Sequence, residues 1–195
     1  MSKDKGKGNL FFTIGLPRSG KSTLCDQWIK HEIDIYQNQF QPRLNEGLCE
    51  SAHIEGNPRV VVCADDIRIA LTGCRFSSVS EETVHSIQGV MIRGFLARGS
   101  DVIVDGTHTT KRSISRMFKF DQNAQYVYIN TPAEICIARA KASNQSDLIP
   151  VIERMVDQLD ELTYLGDTVG YNAINTKRIQ EIKDGIIPQQ NVVTL

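Results

Sequence analysis

Residues 15–22 constrain the fold of this chain more than any other stretch, because they read GLPRSGKS and match the pattern GxxxxGK(S/T) at every defined position. In such a loop the glycines let successive backbone N–H groups turn toward phosphate oxygens, and the following helix directs its positive end at the same charges. A short apolar run at 10–14 precedes the motif, and an amphipathic stretch follows it. The sequence therefore predicts a phosphate-binding loop between a buried strand and a helix.

The loop also predicts which residues contact a bound nucleotide. The lysine of this motif reaches the β- and γ-phosphates, and its serine hydroxyl is placed to bind Mg²⁺. We accordingly expect Lys21 to be catalytic and Ser22 to be the metal ligand. The predicted ATP-binding residues are Gly15, Leu16, Pro17, Arg18, Ser19, Gly20, Lys21, Ser22 and Thr23. The loop alone does not distinguish the kinases, ATPases and GTPases that share it.

The rest of the chain alternates short apolar runs with amphipathic stretches, which is typical of a parallel sheet with helices on both faces. We therefore predict an α/β, three-layer P-loop NTPase fold, with a parallel sheet and helices on both faces. The predicted strands are 10–14, 59–63, 101–104 and 124–129, and the predicted helices are 21–35, 80–98, 132–142 and 149–162.

A length of 195 residues predicts one domain. We assign residues 1–8 to a disordered tail and residues 9–195 to a single kinase-type domain. Residues 37–58 form a long excursion with two prolines and little periodicity. It either reshapes a substrate site or is a tolerated surface insertion. Beyond residue 166 the pattern is ambiguous, with a short helix at 177–183 and a strand at 191–194 as candidates.

Composition excludes several classes of protein. The formal net charge of −1 argues against a protein that coats duplex nucleic acid, although it does not report whether basic residues cluster locally. Five widely spaced cysteines without a CxxC pair argue against a disulfide framework or a zinc site, and for a reducing compartment. No stretch approaches the roughly 18 apolar residues of a membrane helix. We therefore expect a cytoplasmic protein without membrane contact.

Charged residues follow the second predicted strand in the order Asp65, Asp66, Ile67 and Arg68. In an open parallel sheet, ligands bind beyond the carboxyl ends of the strands. A carboxylate at that edge can accept a proton from an attacking hydroxyl, and an arginine can hold an anionic substrate. We predict Asp65 as the catalytic base and Arg68 as a substrate-binding residue. The alternative is that Asp65 or Asp66 merely caps the next helix.

The third predicted strand ends in Asp105, which resembles a Walker B carboxylate that supports Mg²⁺ or its waters. Polar residues follow it directly, and we predict that Asp105, Thr107 and His108 bind substrate. The alternative is that this segment has a structural role, in which Thr109 or Thr110 simply caps the next helix.

Together these motifs resemble a known family. The strings GLPRSGKST, ADDIR and VIVDGTHTTKR look like those of the 5′-kinase domain of bacteriophage-type polynucleotide kinases and related P-loop kinases, over roughly residues 9–165. The resemblance implies that Asp65 activates a 5′-hydroxyl and that Arg68 binds the phosphate next to it. Asp105 would belong to the metal and substrate shell.

The resemblance also implies a lid at about 139–149, from which the catalytic Arg139 reaches over the ATP phosphates. The implied cofactors are ATP and Mg²⁺, and the implied partner is a single-stranded or end-presented nucleic acid. This chain departs from the family where a second lid arginine is usual. The lid reads SNQSD at 143–147, which leaves Lys141 as the alternative cation.

The leading hypothesis from sequence is transfer of the ATP γ-phosphoryl group to the 5′-hydroxyl end of a polynucleotide. One alternative is a zeta-toxin-like kinase of a small molecule, modified base or nucleotide-sugar. Another is an ATPase or nucleotide switch without an acceptor. The sequence lacks the NKxD motif of guanine recognition, which weighs against a GTPase.

Overall fold

The fold is that of a computed structural model, which describes residues 7–31, 33–34, 41–42, 57–74 and 80–164. Its strands are β1 (Leu10–Ile14), β2 (Ile33–Asp34), β3 (Gln41–Pro42), β4 (Arg59–Cys63), β5 (Asp101–Asp105) and β6 (Gln125–Tyr128). Its helices are α1 (Lys21–Ile29), α2 (Ala64–Thr72), α3 (Glu81–Ala97), α4 (Lys111–Phe120), α5 (Ala133–Ala142) and α6 (Ile149–Tyr164). A short 3₁₀ turn, Ser146–Leu148, joins α5 to α6.

Four parallel strands form the central sheet in the order β4-β5-β1-β6. The carboxyl ends of β4 and β5 are in register, with Cys63 opposite Asp105. The loop after β1 therefore emerges between the ends of β5 and β6, and the residues after β4 lie beside the end of β5. This order brings the three predicted motifs to one edge of the sheet.

Each face of the sheet is covered by its own apolar cluster, because successive side chains of a strand point to opposite faces. Phe11 packs with Trp28 of α1 on one face, together with Ile103 and Val127. Leu10, Phe12 and Ile14 belong to the larger cluster on the other face, which draws on α3, α4, α5 and α6. The prediction of a three-layer α/β P-loop fold is confirmed.

The predicted strands and the later helices are confirmed to within two residues at each described end, whereas the first helix is shorter than predicted. The prediction of a helix over 21–35 is wrong beyond Ile29, where α1 ends. Lys30 caps the helix, and His31 adopts a left-handed φ of 58°. A residue in that conformation turns the chain out of the helix, and Ile33–Asp34 then pairs with Gln41–Pro42 as a two-residue antiparallel ribbon.

The boundary predicted for the tail also shifts. The Gly8 N–H donates to Leu96 O at 3.1 Å, and Lys7 pairs with Asp121 at 2.8 Å, so both residues are placed against the domain. Most of the 37–58 excursion lies outside the described residues, as do the elements predicted at 177–183 and 191–194. Within the described ranges, no helix combines the length and the apolar character that crossing a membrane requires.

Candidate active site

The phosphate-binding loop curls tightly at the carboxyl end of β1. Gly15 and Gly20 have φ values of 155° and 108°, a region that side-chain-bearing residues rarely adopt. A Cβ on Gly15 would lie 2.8 Å from Ile129 O, so the close approach of β6 also requires glycine there. The Gly15 N–H donates to Thr107 O at 3.0 Å, which ties the loop to the segment after β5.

Lys21 lies folded back over its own loop. Its Nζ donates to Leu16 O at 2.5 Å and to Ser19 Oγ at 3.4 Å, and the residue is 7% exposed. Burial lowers the pKa of Lys21, against the opposing effect of the Asp105 carboxylate. Both oxygens to which Lys21 Nζ donates are neutral. A buried cation of this kind attracts the negative charge of a phosphate, as phosphate-binding lysines do.

The hydroxyl of Ser22 meets the carboxylate of Asp105, and Ser22 Oγ donates to Asp105 Oδ2 at 2.7 Å. Burial raises the pKa of Asp105, while the hydrogen bond from Ser22 and the charge of Lys21 oppose that rise. A hydroxyl and a carboxylate are the oxygen ligands that Mg²⁺ prefers, and Mg²⁺ commonly takes only one or two protein ligands beside substrate phosphates. The donor set of Ser22 and Asp105 therefore fits this metal.

The other residues of the loop divide between buried and exposed positions. Leu16 and Ser19 are buried, Pro17 and Gly20 are half-buried, and Arg18, Ser22 and Thr23 reach solvent at the open side. Arg18 has a left-handed φ of 65°, an uncommon conformation for a residue with a side chain. The Arg18 carbonyl accepts a hydrogen bond from Arg139 of α5.

Asp65 and Asp66 both lie in the first turn of α2, at the edge that carries Asp105. The N-cap of this helix is Cys63, and no side-chain hydrogen bond caps it, so the alternative that one of these carboxylates is the cap is wrong. The Asp65 side chain is 57% exposed, and its Oδ1 accepts a hydrogen bond from Arg68 Nη1 at 2.5 Å. Asp65 and Asp66 both contribute to the raised pKa of Asp105, which places the three carboxylates within electrostatic reach of one another.

Sequence reasoning missed Glu81, which holds Arg68 through two parallel hydrogen bonds. Arg68 Nε donates to Glu81 Oε1 at 2.6 Å, and Arg68 Nη2 donates to Glu81 Oε2 at 2.7 Å. This contact is the main reason that the pKa of Arg68 is raised. A bidentate pair fixes both the position and the plane of a guanidinium. Glu81 belongs to a different helix, so no periodicity in the sequence links it to Arg68.

We expect Glu81→Gln to weaken binding of the acceptor while leaving ATP binding intact. A neutral amide has one acceptor oxygen where the carboxylate has two, so it cannot accept the two parallel hydrogen bonds and Arg68 loses its fixed orientation. The KM for the acceptor should rise by roughly tenfold, and stability should fall by no more than about 1 kcal/mol because the pair is partly exposed. The measurement is a steady-state titration of each substrate.

Glu82→Gln is the matched control, because Glu82 is an exposed neighbour in the same helical turn. This substitution removes the same charge without touching Arg68. Rescue of the acceptor KM by Glu81→Asp would support positioning of Arg68 by a carboxylate. Equal effects of the substitutions at Glu81 and Glu82 would contradict it.

Arg139 contacts the phosphate-binding loop from α5. Its Nη1 donates to Arg18 O at 3.1 Å and to Ser19 O at 3.3 Å, and Thr131 Oγ1 donates to the same Ser19 O at 2.8 Å. The guanidinium therefore lies directly beside the phosphate-binding loop. Lys141, the other lid cation, is exposed on the same helix, and none of its contacts reaches the loop in the described part of the chain.

His108 is buried in the fold beside β1, and its predicted role in substrate binding stays a prediction. The ring is packed edge-to-face against Phe12, with centroids 5.3 Å apart, and Nδ1 lies 2.7 Å from Thr13 O. Burial lowers the pKa of His108 to about 4, so the ring is neutral at pH 7 and Nδ1 donates to the carbonyl. A Cβ on Gly106 would meet this ring at 2.7 Å. His108 joins the loop after β5 to β1.

The threonines after β5 divide between the site and the fold. Thr107 is half-buried and supplies its carbonyl to Gly15. Thr109 donates to Gln158 Oε1 of α6 at 2.7 Å. Thr110 caps α4 through a capping box with Ser113, as one of the alternatives predicted. Of the residues predicted around this strand end, Asp105 is the one that the structure joins to the loop residue Ser22.

The fold and this arrangement define a P-loop kinase-like α/β domain. The model of a family described as an AAA domain matches residues 48–162, which is more than half of the chain, and the chain belongs to that family. The matched segment contains Asp65, Arg68, Asp105 and Arg139 but begins after the phosphate-binding loop. A search among curated proteins finds no match.

Solved structures share the fold. A chain of the Pnkp1/Rnl/Hen1 RNA repair complex has a TM-score of 0.60 at 21% identity, covering 82% of this chain and 46% of the other. A second structure of a Pnkp1/Rnl/Hen1 complex has a TM-score of 0.52 at 22% identity, covering 71% of this chain and 42% of the other. APE1195 has a TM-score of 0.52 at 17% identity, with 76% and 77% covered.

The chain matches less than half the length of the chains in the first two structures. Identities this low establish likeness of fold, and at that level the resemblance to P-loop 5′-kinases is confirmed.

Proposed function

We propose that this protein transfers the γ-phosphoryl group of ATP to a hydroxyl acceptor, and that the acceptor is the 5′-hydroxyl end of a polynucleotide. One observation carries the proposal. The exposed carboxylate of Asp65, held by Arg68, lies at the same sheet edge as the hydrogen-bonded pair of Ser22 and Asp105. A kinase needs a carboxylate at this position to accept the proton of the attacking hydroxyl, whereas an enzyme that only hydrolyses ATP has no such hydroxyl acceptor.

On the ATP side, the loop amides, the amino end of α1 and Lys21 would surround the β- and γ-phosphates. Ser22 and Asp105 would hold Mg²⁺, which supplies charge neutralisation at the phosphates when bound. Lys21 would exchange its contact with Leu16 O for phosphate oxygens. The burial that lowers the pKa of Lys21 also strengthens its attraction to those oxygens.

On the acceptor side, Asp65 has one oxygen occupied by Arg68 and a side chain open to solvent. The other oxygen of Asp65 would accept the proton of the 5′-hydroxyl. At the same time the hydroxyl oxygen bonds to the γ-phosphorus, and the bond between the γ-phosphorus and ADP breaks. Arg68 uses three of its five N–H donors on Glu81 and Asp65. The two remaining donors are available to a phosphate next to the attacking hydroxyl.

Arg139 completes the set of cations around the transferred group. A guanidinium stabilises the charge that spreads over the equatorial oxygens of the phosphoryl group during transfer. Its present contacts, the Arg18 and Ser19 carbonyls, place it at the rim of the loop. A small change in its rotamer would bring its remaining N–H donors toward the phosphates. The absence of a second lid arginine leaves this role to Arg139.

Two considerations favour a polynucleotide acceptor over a small molecule. The DDxR element after the second strand is the part of the sequence that resembles polynucleotide 5′-kinases. A structure of similar fold belongs to an RNA repair complex. A small-molecule kinase and an acceptor-free ATPase remain as outcomes of the test.

An acceptor screen tests the proposal. The protein is incubated with γ-labelled ATP and, in parallel, with 5′-hydroxyl RNA, 5′-hydroxyl DNA, nucleosides, sugars and water alone. We expect label on the oligonucleotides, and none on the same oligonucleotides carrying a 5′-phosphate. Transfer confined to a nucleoside or sugar would replace the polynucleotide assignment. Steady ATP hydrolysis that no acceptor changes would contradict the kinase itself.

A further inference from the structure

Helix α4 carries an unusual concentration of positive charge. Lys111–Phe120 contains the four cations Lys111, Arg112, Arg116 and Lys119 and no acidic residue, in a chain whose formal net charge is −1. The helix that starts beside the candidate active site therefore carries only positive charges, and the acidic residues of the protein lie elsewhere. Such a surface is the electrostatic footprint of an anionic partner.

Two of these cations sit where they oppose the helix. Lys111 and Arg112 lie in the first turn, which contains no acidic residue. Cations near a helix amino terminus face the positive end of its dipole and are unfavourable there. Helices α2 and α3 follow the favourable rule, with Asp65, Asp66, Glu81 and Glu82 in their first turns. The two cations at the start of α4 therefore lower the stability of the helix. Residues that break a local stability rule in this way are typically found at functional sites.

Three of the cations share one face of α4. Arg112, Arg116 and Lys119 are spaced by four and three residues, and residues at these spacings lie side by side on a helix. Ile114 and Met117 on the other side are buried, so the cationic face points away from the core. Arg112 and Lys119 are exposed, and within the described ranges no carboxylate lies at ion-pair distance from either.

This face is continuous with the acceptor residues. Arg116 Nη1 donates to His85 Nδ1 at 2.9 Å, and His85 Nε2 lies 3.8 Å from Glu81 Oε2. Glu81 in turn holds Arg68. Burial and the charge of Arg116 lower the pKa of His85, so the ring is neutral and does not interrupt the row with a charge of its own. The row runs from Arg68 through Glu81 and His85 to Arg116 of α4, and its widest step is the 3.8 Å between His85 and Glu81.

We propose that Arg112, Arg116 and Lys119, here called the α4 basic face, bind the phosphate backbone of the nucleic acid strand that leads away from the reacting 5′ end. This proposal rests on the proposed function and adds where the strand lies. Arg112 and Lys119 are about 10 Å apart along the helix axis at 1.5 Å per residue. A span of that length can contact more than one phosphate of a strand, because even a stacked strand rises by only about 3.4 Å per nucleotide.

The test compares a double variant of the face with a charge-matched control. Arg112→Gln with Lys119→Gln removes two exposed cations from α4. Lys30→Gln with Arg98→Gln removes two exposed cations at the carboxyl ends of α1 and α3, on the edge of the sheet away from the phosphate-binding loop. Thermal melting verifies folding, and neither substitution of the first pair removes a described contact.

Two readouts are taken from the full chain. The first is the ratio of the KM for a 5′-hydroxyl dinucleotide to the KM for an oligonucleotide of about 20 nucleotides. At about 0.1 M salt the α4 variant should lower this ratio by about 25-fold, because two single-strand phosphate contacts together contribute about 1.4 to the slope of log K against log salt. The second is the salt slope for binding a 5′-phosphorylated oligonucleotide, which should fall by about 1.4 in the α4 variant. The control pair should leave both values as in the parent protein.

The outcomes separate the two proposals. Phosphorylation of oligonucleotides with an unchanged KM ratio and salt slope in the α4 variant would overturn the α4 basic face and leave the kinase function standing. Absence of phosphorylation together with α4-dependent, salt-dependent binding would support the face and contradict the acceptor assignment. Equal effects of the α4 pair and the control pair would show that only net charge matters, and would overturn the face.

Discussion

Replacing Lys21 by methionine is expected to lower ATP-dependent phosphoryl transfer by roughly a hundredfold to a thousandfold. Preorganised charges in a closed site contribute most where charge develops in the transition state, and losing one such donor typically costs about 10²–10³ in rate. Lys21 is buried, and its Nζ lies over the loop with Leu16 O and Ser19 Oγ as its contacts. Methionine retains the apolar stem and removes the charge.

The same substitution should not unfold the protein. Burial lowers the pKa of Lys21, so the charged form is already disfavoured at this place, and an apolar side chain of similar length avoids that cost. Thermal melting of Lys21→Met should therefore match or exceed the parent. Lys30→Met, at the far end of α1 and exposed, is the control that should retain activity. A Lys21→Met protein with more than about a tenth of the parental rate would show that this lysine does not carry the chemistry.

Replacing Asp65 by asparagine is expected to lower kcat by about 10²–10⁴, the usual contribution of a general base. Asparagine retains an oxygen that accepts the hydrogen bond from Arg68 Nη1, so the geometry of the acceptor side should persist. It cannot accept the proton of a hydroxyl at neutral pH. The affinity for ATP should change little, because the Asp65 side chain has no described hydrogen bond to the loop.

Asp66→Asn is the matched control for that experiment. Asp66 is exposed in the same first turn of α2 and carries the same charge. The measurements are kcat and KM for an oligonucleotide acceptor, with a fluorescent ATP analogue titrated to each protein. An Asp65→Asn enzyme within about threefold of the parent would remove Asp65 from the mechanism, since a general base typically contributes at least 10²-fold. Equal losses in both variants would indicate a dependence on charge at this edge and not on one base.

Local sequence patterns predicted most of the elements that carry the site. The apolar run Leu10–Ile14, the glycines at positions 15 and 20 and the start of α1 are all specified within about fifteen residues. Short-range rules of this kind operate through backbone conformation and side-chain periodicity. They failed at the end of α1, where His31 turns the chain although the preceding pattern continues to favour a helix. The choice between capping roles also required the structure, since Thr110 and not Thr109 caps α4.

Partners that are distant in the sequence required the tertiary structure. Arg68 suggested a substrate contact by its position, but its bidentate partner Glu81 belongs to another helix whose placement depends on how α2 and α3 pack. His108 has the residue type of a catalytic group, and packing turned it inward onto Phe12 and Thr13. A polar side chain can line a functional site or be buried and hydrogen-bonded inside the fold. Which of the two occurs depends on the direction of the side chain in the tertiary structure, and composition does not determine that direction.

By itself, the sequence determined that this chain contains a phosphate-binding loop on an α/β sheet, because a strand, a glycine turn and a helix dipole in succession are local properties. The tertiary structure decided what surrounds that loop. Ser22 and Asp105 are 83 positions apart and meet at 2.7 Å, and Arg139 reaches Arg18 across 121 positions. Such contacts follow from strand order and register, which are set by burying both faces of one sheet at once. The phosphate-binding loop is therefore a local feature, whereas the site around it arises from the packing of the whole domain.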